Sequence, residues 1–280
     1  MNNIITDLKS LEIETLKNLK NSKSNNTLRA YHSDFRDFSS FCAKNCFSSI
    51  PTQPKIIALY ITHLSKFSKF STLKRRIASI SVIHKLKGHY LDTKHPIIME
   101  NLHGIKRTLG TRQKAKKPIL INDLKLIIKA IDQDNSNLKQ SLDTKFKEKS
   151  ILRDKALILV GFAGGFRRSE LVNINIEDIE FVTEGVKILI KRSKTDQSGE
   201  GSIKAIPYFD NQEFCPVIAL KNYMKYKLSN INQGRIFNIS DKSVALIIKK
   251  YTEKAGLDSS KYAGHSLRSG FATTAAEFGA

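Results

Sequence analysis

The 280-residue chain predicts a mainly α-helical protein with one small antiparallel sheet, divided into a helical front domain (residues 1–112) and an α+β rear domain (residues 119–280). Three observations predict it. Apolar residues recur at three- and four-residue steps through the first hundred positions, the period of a helix with one buried face. Short strand-like runs of comparable clarity begin only after residue 170. Between the two patterns lies a polar, cationic stretch, Leu109 to Pro118, ending at a proline that disfavours helix in the residue before it. Residues 113–118 are expected to form a basic linker.

The elements follow in order. Thr27–Cys42 places Leu28, Tyr31, Phe35, Phe38 and Phe41/Cys42 on one helical face, with Asn25 or Asn26 as the expected cap. Residues 54–67 form a second helix with Ile57, Leu59, Tyr60 and Leu64 on its apolar side. Ser71–Leu86 is a third, with Leu73, Ile77, Ile80 and His84 on one side and Lys74, Ser81 and Lys85 on another; Gly88 ends it. His95-Pro96 opens a fourth, Ile97–Leu109. In the rear half, Ile121–Ile131 and Ser150–Phe162 read as helices. Gly164-Gly165 breaks the pattern, and Arg167–Val172 begins a new helical turn. Three strands follow, Ile179–Phe181, Val186–Arg192 and Ile203–Tyr208, the last two joined by a polar hairpin loop, Ser193–Gly201. Cys215–Lys227, Lys242–Ala255 and Ser266–Phe278 return to helix.

Apolar content of 40% suffices for packed cores. The outlier is charge: 47 Lys and Arg against 26 Asp and Glu, a net of +21. The excess is uneven, since residues 1–117 hold 22 of the basic residues and only 7 of the acidic ones. Such an excess implies a polyanionic partner, and double-stranded DNA is the first candidate. Arg29, Lys74, Arg75, Arg76, Lys85, Lys106, Arg107, Arg112, Lys114, Lys116 and Lys117 are the cations expected to meet it.

Other classes are excluded. The start lacks the basic and apolar regions of a signal peptide, and the longest apolar run, Ala156–Phe166, is too short to span a bilayer. Cys42, Cys46 and Cys215 form no disulfide framework and no zinc pattern; Cys42 and Cys46 sit four apart on one expected helix. The expectation is a cytoplasmic, nucleoid-associated protein with reduced thiols, no membrane contact, no metal or other cofactor and no small-molecule substrate.

Three stretches carry chemistry. Arg167 and Arg168 follow Gly164-Gly165, where a sharp turn delivers an arginine to a helix N-terminus suited to an anion. His265 and Arg268 lie one helical turn apart behind Gly264, a proton carrier beside an oxyanion ligand. Lys194 occupies the hairpin loop, from which an ammonium can protonate a leaving oxygen; Lys191 and Arg192 are rivals for that role. Taken singly, each has an ordinary explanation as solvated surface charge.

Their order on the chain, behind a basic helical domain, resembles the tyrosine recombinase (phage integrase) family. Asn26–Tyr31 with Phe35, Phe38 and Phe41 is similar to the opening helix of the family's SAM-like core-binding domain. Gly165–Leu171 resembles its first arginine box, and His265–Arg268 its second. The resemblance implies an α+β catalytic domain in which Arg167 and Arg268 clamp the scissile phosphate. Lys194 would protonate the departing 5′ oxygen, His265 would assist proton transfer at the nucleophile, and Glu170 would hold the arginine box in place. The reaction it implies needs neither metal nor ATP, because a 3′-phosphotyrosine conserves the bond energy. The partners it implies are duplex DNA and further recombinase protomers.

One departure qualifies it. The family's nucleophilic tyrosine follows the second box, but the last tyrosine here is Tyr262, before His265, and the chain has no Trp. The sequence therefore reads as a C-terminally truncated member, ending within a helix that continues past Phe278 without a cap, able to bind DNA and unable to cut it alone. A non-catalytic DNA-binding remnant of a mobile element and a type IB topoisomerase-like enzyme are the alternatives.

Overall fold

The computed structural model describes residues 8–21, 23–110, 115–138, 145–191, 193, 200–227 and 233–279. The chain forms two compact units, Met1–Gln113 and Lys114–Ala280.

Unit 1 holds five helices: α1 (Leu8–Asn21), α2 (Asn25–Lys44), α3 (Pro54–Ser65), α4 (Phe70–Leu86) and α5 (Pro96–Leu109). Helix α1 lies outside the elements expected from the sequence; its Leu11 and Ile13 are exposed. The α2 cap is Ser24, whose Oγ accepts from the Thr27 amide at 3.2 Å, and Asn25 is already helical. The core joins Phe38 and Cys42 of α2 to Ile57, Tyr60, Ile61 and Leu64 of α3, Leu73, Ile77 and Ile80 of α4, and Ile98, Leu102 and Ile105 of α5. Ile61 takes the place expected of Leu59, which faces solvent because it is out of phase with the stripe. Helix α2 stops before Cys46, which has φ +56° and is exposed, whereas burial pushes the Cys42 thiol up to about 11. All three cysteines are free.

Two acidic residues of α2, the buried Asp34 and the half-exposed Asp37, take donors from α3 and α4. Asp34 is buried and accepts from Ser79 Oγ at 2.8 Å and from Arg75. Asp37 accepts from the Tyr60 hydroxyl at 2.6 Å and from Arg76. His84 is also enclosed: its Nδ1 donates to the Ile80 carbonyl at 2.9 Å and its Nε2 accepts from the Thr52 amide at 3.2 Å.

Unit 2 contains α6 (Ile121–Leu138), α7 (Lys145–Ala163), α8 (Arg168–Val172), strands β1 (Ile179–Val182), β2 (Gly185–Ile190) and β3 (Ser202–Pro207), then α9 (Pro216–Lys227), α10 (Asp241–Lys254) and α11 (Ser266–Glu277). Residues Ala156–Val160 of α7 are all buried, so this helix forms the centre of the core, enclosed on every side. The sheet is antiparallel in the order β1-β2-β3. Its inner face carries Val186, Ile188 and Ile190 of β2 and Ile206 of β3, with Val186 opposite Ile206 and Ile188 opposite Lys204. Ile203 is turned outward beside Leu189.

Helix α11 spans Ser266–Glu277, with Phe278 as its cap residue and Gly279 at φ +80°. The basic segment is bonded into unit 2 at its end: the Lys117 amide donates to the Lys261 carbonyl at 2.7 Å and the Ile119 amide to the Ser266 carbonyl at 3.0 Å. Among the described residues, no helix is long and apolar enough to cross a membrane.

The register of β3 is directly testable. Ile206→Ala, on the buried face, should cost about 2–5 kcal/mol. Ile203→Ser, on the open face, should change stability by less than about 0.5 kcal/mol. Chemical denaturation measures both, and equal costs would contradict the observed facing.

Candidate active site

The site begins at the end of α7. The Gly164 amide bonds to the Val160 carbonyl at 2.9 Å, and the chain then leaves the helix through Gly165 at φ +55°. Glycine is required twice over: a Cβ on Gly164 would lie 2.1 Å from the Phe166 ring, and one on Gly165 would lie 2.6 Å from the Phe271 ring. Beyond the helix end, the carbonyls of both glycines need donors. Lys204 Nζ reaches the Gly164 oxygen at 2.6 Å, and Arg268 Nη1 reaches the Gly165 oxygen at 2.8 Å.

The turn delivers Arg167 to Glu170. The Arg167 amide donates to Glu170 Oε2 at 2.9 Å, and its Nη1 donates to Oε1 at 2.6 Å. Glu170 is buried, and Arg268 Nη1 stands 4.0 Å from its other oxygen. Two arginines from distant parts of the sequence therefore converge on one enclosed carboxylate. Helix α8 is only five residues long, and the Arg167 amide at its N-terminus is taken by Glu170. The positive character comes from side chains.

Lys204 joins this cluster. Its ammonium lies 5.0 Å from the Phe166 ring centre. Burial holds its pKa below the ordinary lysine value; Arg268 and Arg167 push the same way, and Glu170 opposes them. Arg167 and Arg268 approach the Glu170 carboxylate and Lys204 lies within electrostatic reach of it, so the cluster carries net positive charge. Lys204 is not among the sequence-predicted site residues; its signal in the sequence is a lysine at the inward-facing position two before the buried Ile206.

The second box interlocks with the first. His265 is exposed and occupies the cap position of α11, one turn before Arg268. A Cβ on Gly264 would lie 1.9 Å from Arg168 Cδ, so the stem of Arg168 lies against Gly264 while Arg268 reaches back to Gly165. Tyr262 is buried, and its hydroxyl donates to Asp123 at 3.0 Å, a packing role. Lys194 and Arg192 lie outside the described residues. Lys191 is committed elsewhere, 2.6 Å from Asp178 Oδ1.

The expected DNA-facing cations divide. Arg29, Lys74, Lys85, Lys106 and Arg107 are exposed on unit 1. Arg75 is half-exposed while paired with Asp34. Arg76 is turned inward, its side chain 18% exposed, because Asp37 and Tyr60 hold it. Lys116 donates to the Ser260 carbonyl at 2.6 Å and Lys117 lies 3.0 Å from Asp123. Arg112 and Lys114 lie outside the described residues. Among those residues, no three His, Cys, Asp or Glu side chains gather as a metal site.

Gly165→Ala tests the turn. A left-handed alanine costs about 1–3 kcal/mol before the Phe271 clash is counted. The variant should melt lower than wild type, and an unchanged midpoint would mean that the turn tolerates a side chain.

Known proteins resemble this chain in sequence and in fold. The model described as the phage integrase family matches residues 129–280. An integrase/recombinase xerD homolog from Selenomonas ruminantium is 40% identical over 251 residues, covering 84% of this chain and 69% of that protein. Two solved structures share the fold. The Tn1549 transposon integrase in complex with transposon right end DNA aligns with a TM-score of 0.59 at 14% identity, covering 95% of this chain and 86% of that one. A lambda integrase dimer bound to a COC′ core site aligns at 0.55 and 15% identity, covering 98% and 91%. With over half its length matched by the family model and a relative at 40% identity, this chain belongs to the phage integrase family, the tyrosine recombinases.

Proposed function

We propose that the protein binds duplex DNA and contributes the phosphate-activating half of a strand-transfer site. The observation that carries this reading is the convergence of Arg167 and Arg268 on Glu170. A phosphodiester bears one negative charge, which grows as a nucleophile adds. Two guanidinium groups held in advance stabilise that growth without reorganising. Glu170 supplies their orientation and is itself screened from solvent.

In the reaction, Arg167 and Arg268 grip the non-bridging oxygens of the scissile phosphate. Lys194 protonates the departing 5′ oxygen, and His265, exposed at the start of α11, exchanges a proton with the attacking hydroxyl. That hydroxyl belongs to a tyrosine in the family's chemistry, giving a 3′-phosphotyrosyl intermediate that a 5′ hydroxyl later resolves. Residues 266–280 contain no tyrosine, and the Tyr262 hydroxyl is engaged with Asp123. The duplex partner is supported by the charge of unit 1 and by the DNA in the Tn1549 integrase structure. Assembly with further protomers is supported by the lambda integrase dimer on its core site.

Two measurements test this reading. Affinity for duplex DNA should fall steeply with salt, and Lys85→Ala should reduce the slope of log affinity against log salt by about 1. An unchanged slope removes Lys85 from the DNA interface. In a chain extended to carry a tyrosine after α11, Arg167→Lys should bind duplex as wild type does yet cleave a suicide substrate about a hundredfold more slowly, since lysine lacks the planar fork. Parallel loss of binding and cleavage would make Arg167 a structural residue.

A further inference from the structure

Lys204 breaks the pattern of its strand. It points to the same side as Ile206, which is buried, and pairs across from Ile188, which is fully enclosed. Its neighbour Ile203 is 67% exposed. An apolar side chain in water next to an ammonium facing inward reverses the usual preference of both residues. Desolvating the ammonium opposes folding, so a partner that repays the inward position must exist.

The partner is the end of α7. Carbonyls at a helix C-terminus lack intrahelical donors and carry the negative end of the helix dipole, which favours a cation. Lys204 Nζ bonds the Gly164 carbonyl at 2.6 Å and lies over the face of Phe166. Arg268 bonds the next carbonyl, Gly165, from α11. The turn preceding Arg167 is therefore braced from two directions, by a strand 40 residues away and by a helix 103 residues away. Arg268 has a second reason to be there, as a phosphate ligand. Lys204 is bonded to backbone and needs a reason of its own.

We propose that Lys204 is a positioning residue that ties the Gly164-Gly165 turn to β3 and so holds Arg167 in the orientation that engages a phosphodiester. Its importance for chemistry rests on the recombinase reading; the brace does not. It acts through Arg167 and is distinct from Lys194, the loop lysine assigned to the leaving oxygen. The inward facing of Lys204 also fixes which side of the hairpin meets the arginine turn, since a shift of one residue would bring Ile203 there instead.

The test uses the 280-residue chain with K204Q and K204R. Amide hydrogen exchange followed by mass spectrometry reads the turn, and arginine side-chain N–H resonances read Arg167 against Arg153, which is paired with Asp154 and serves as the control. In K204Q, exchange across residues 164–167 should rise about tenfold through local opening, while α10 keeps wild-type protection. The Arg167 resonance should shift and that of Arg153 should not. K204R, which keeps a cation with N–H donors, should restore both. Unchanged exchange at the turn in K204Q would overturn the proposal, as would a uniform rise across unit 2 that K204R fails to correct. Should K204Q not fold, K204R decides alone: wild-type protection of the turn supports the brace, and its loss refutes it. Duplex affinity, measured in parallel, separates this inference from the functional one, because a wild-type chain that ignores DNA would count against the recombinase reading without altering the exchange result.

Discussion

The buried carboxylate of Glu170 is the constraint on which the rest of the site depends. A carboxylate enclosed this far from water needs hydrogen-bond donors and countercharge. It is tolerated because Arg167 supplies both its amide and its guanidinium and because Arg268 approaches the other oxygen. The dependence runs both ways. Two guanidinium groups brought to one carboxylate would repel each other, and the negative charge between them makes the arrangement tenable while leaving an excess of positive charge. The glycine turn, the interlocking of Arg168 with Gly264, and the burial of Phe166, Leu171 and Leu267 all maintain this one meeting point.

Unit 1 illustrates a different use of charge. Its few acidic residues include Asp34, which is buried, and Asp37; together they take up Arg75 and Arg76 to bind α2 to α4. The remaining cations stay on the surface, among them Lys74, Lys85, Lys106 and Arg107. A basic composition thus separates into cations used internally and cations left for an anionic partner. Composition alone cannot distinguish them, because the division depends on where two carboxylates on a neighbouring helix happen to face.

The helices of unit 1 were readable because their apolar stripes have a local period, and Phe38, Ile57, Tyr60, Leu73, Ile77 and Ile80 all lie in the core as that period requires. The sheet was readable for the same reason, with three strands and the hairpin in the expected order. Helix α1 is not among the elements expected from the sequence; its Leu11 and Ile13 are exposed. Leu59 and Ile61 exchanged roles because neighbouring apolar residues on a helix differ by a rotation that composition does not resolve.

For the site, the sequence by itself determined the inventory and order of groups: Arg167 behind two glycines, Glu170 three residues on, and His265 with Arg268 after another glycine. Those are local matters of spacing and turn chemistry, and one chain is enough to read them. Only the tertiary structure decided that Arg76 is occupied, that Lys191 is paired with Asp178, and that Lys204 faces the arginines. Each of those outcomes depends on a partner 13 to 40 residues distant, and the Coulomb and hydrogen-bond terms that select it act through space at a few ångströms, which local spacing does not specify.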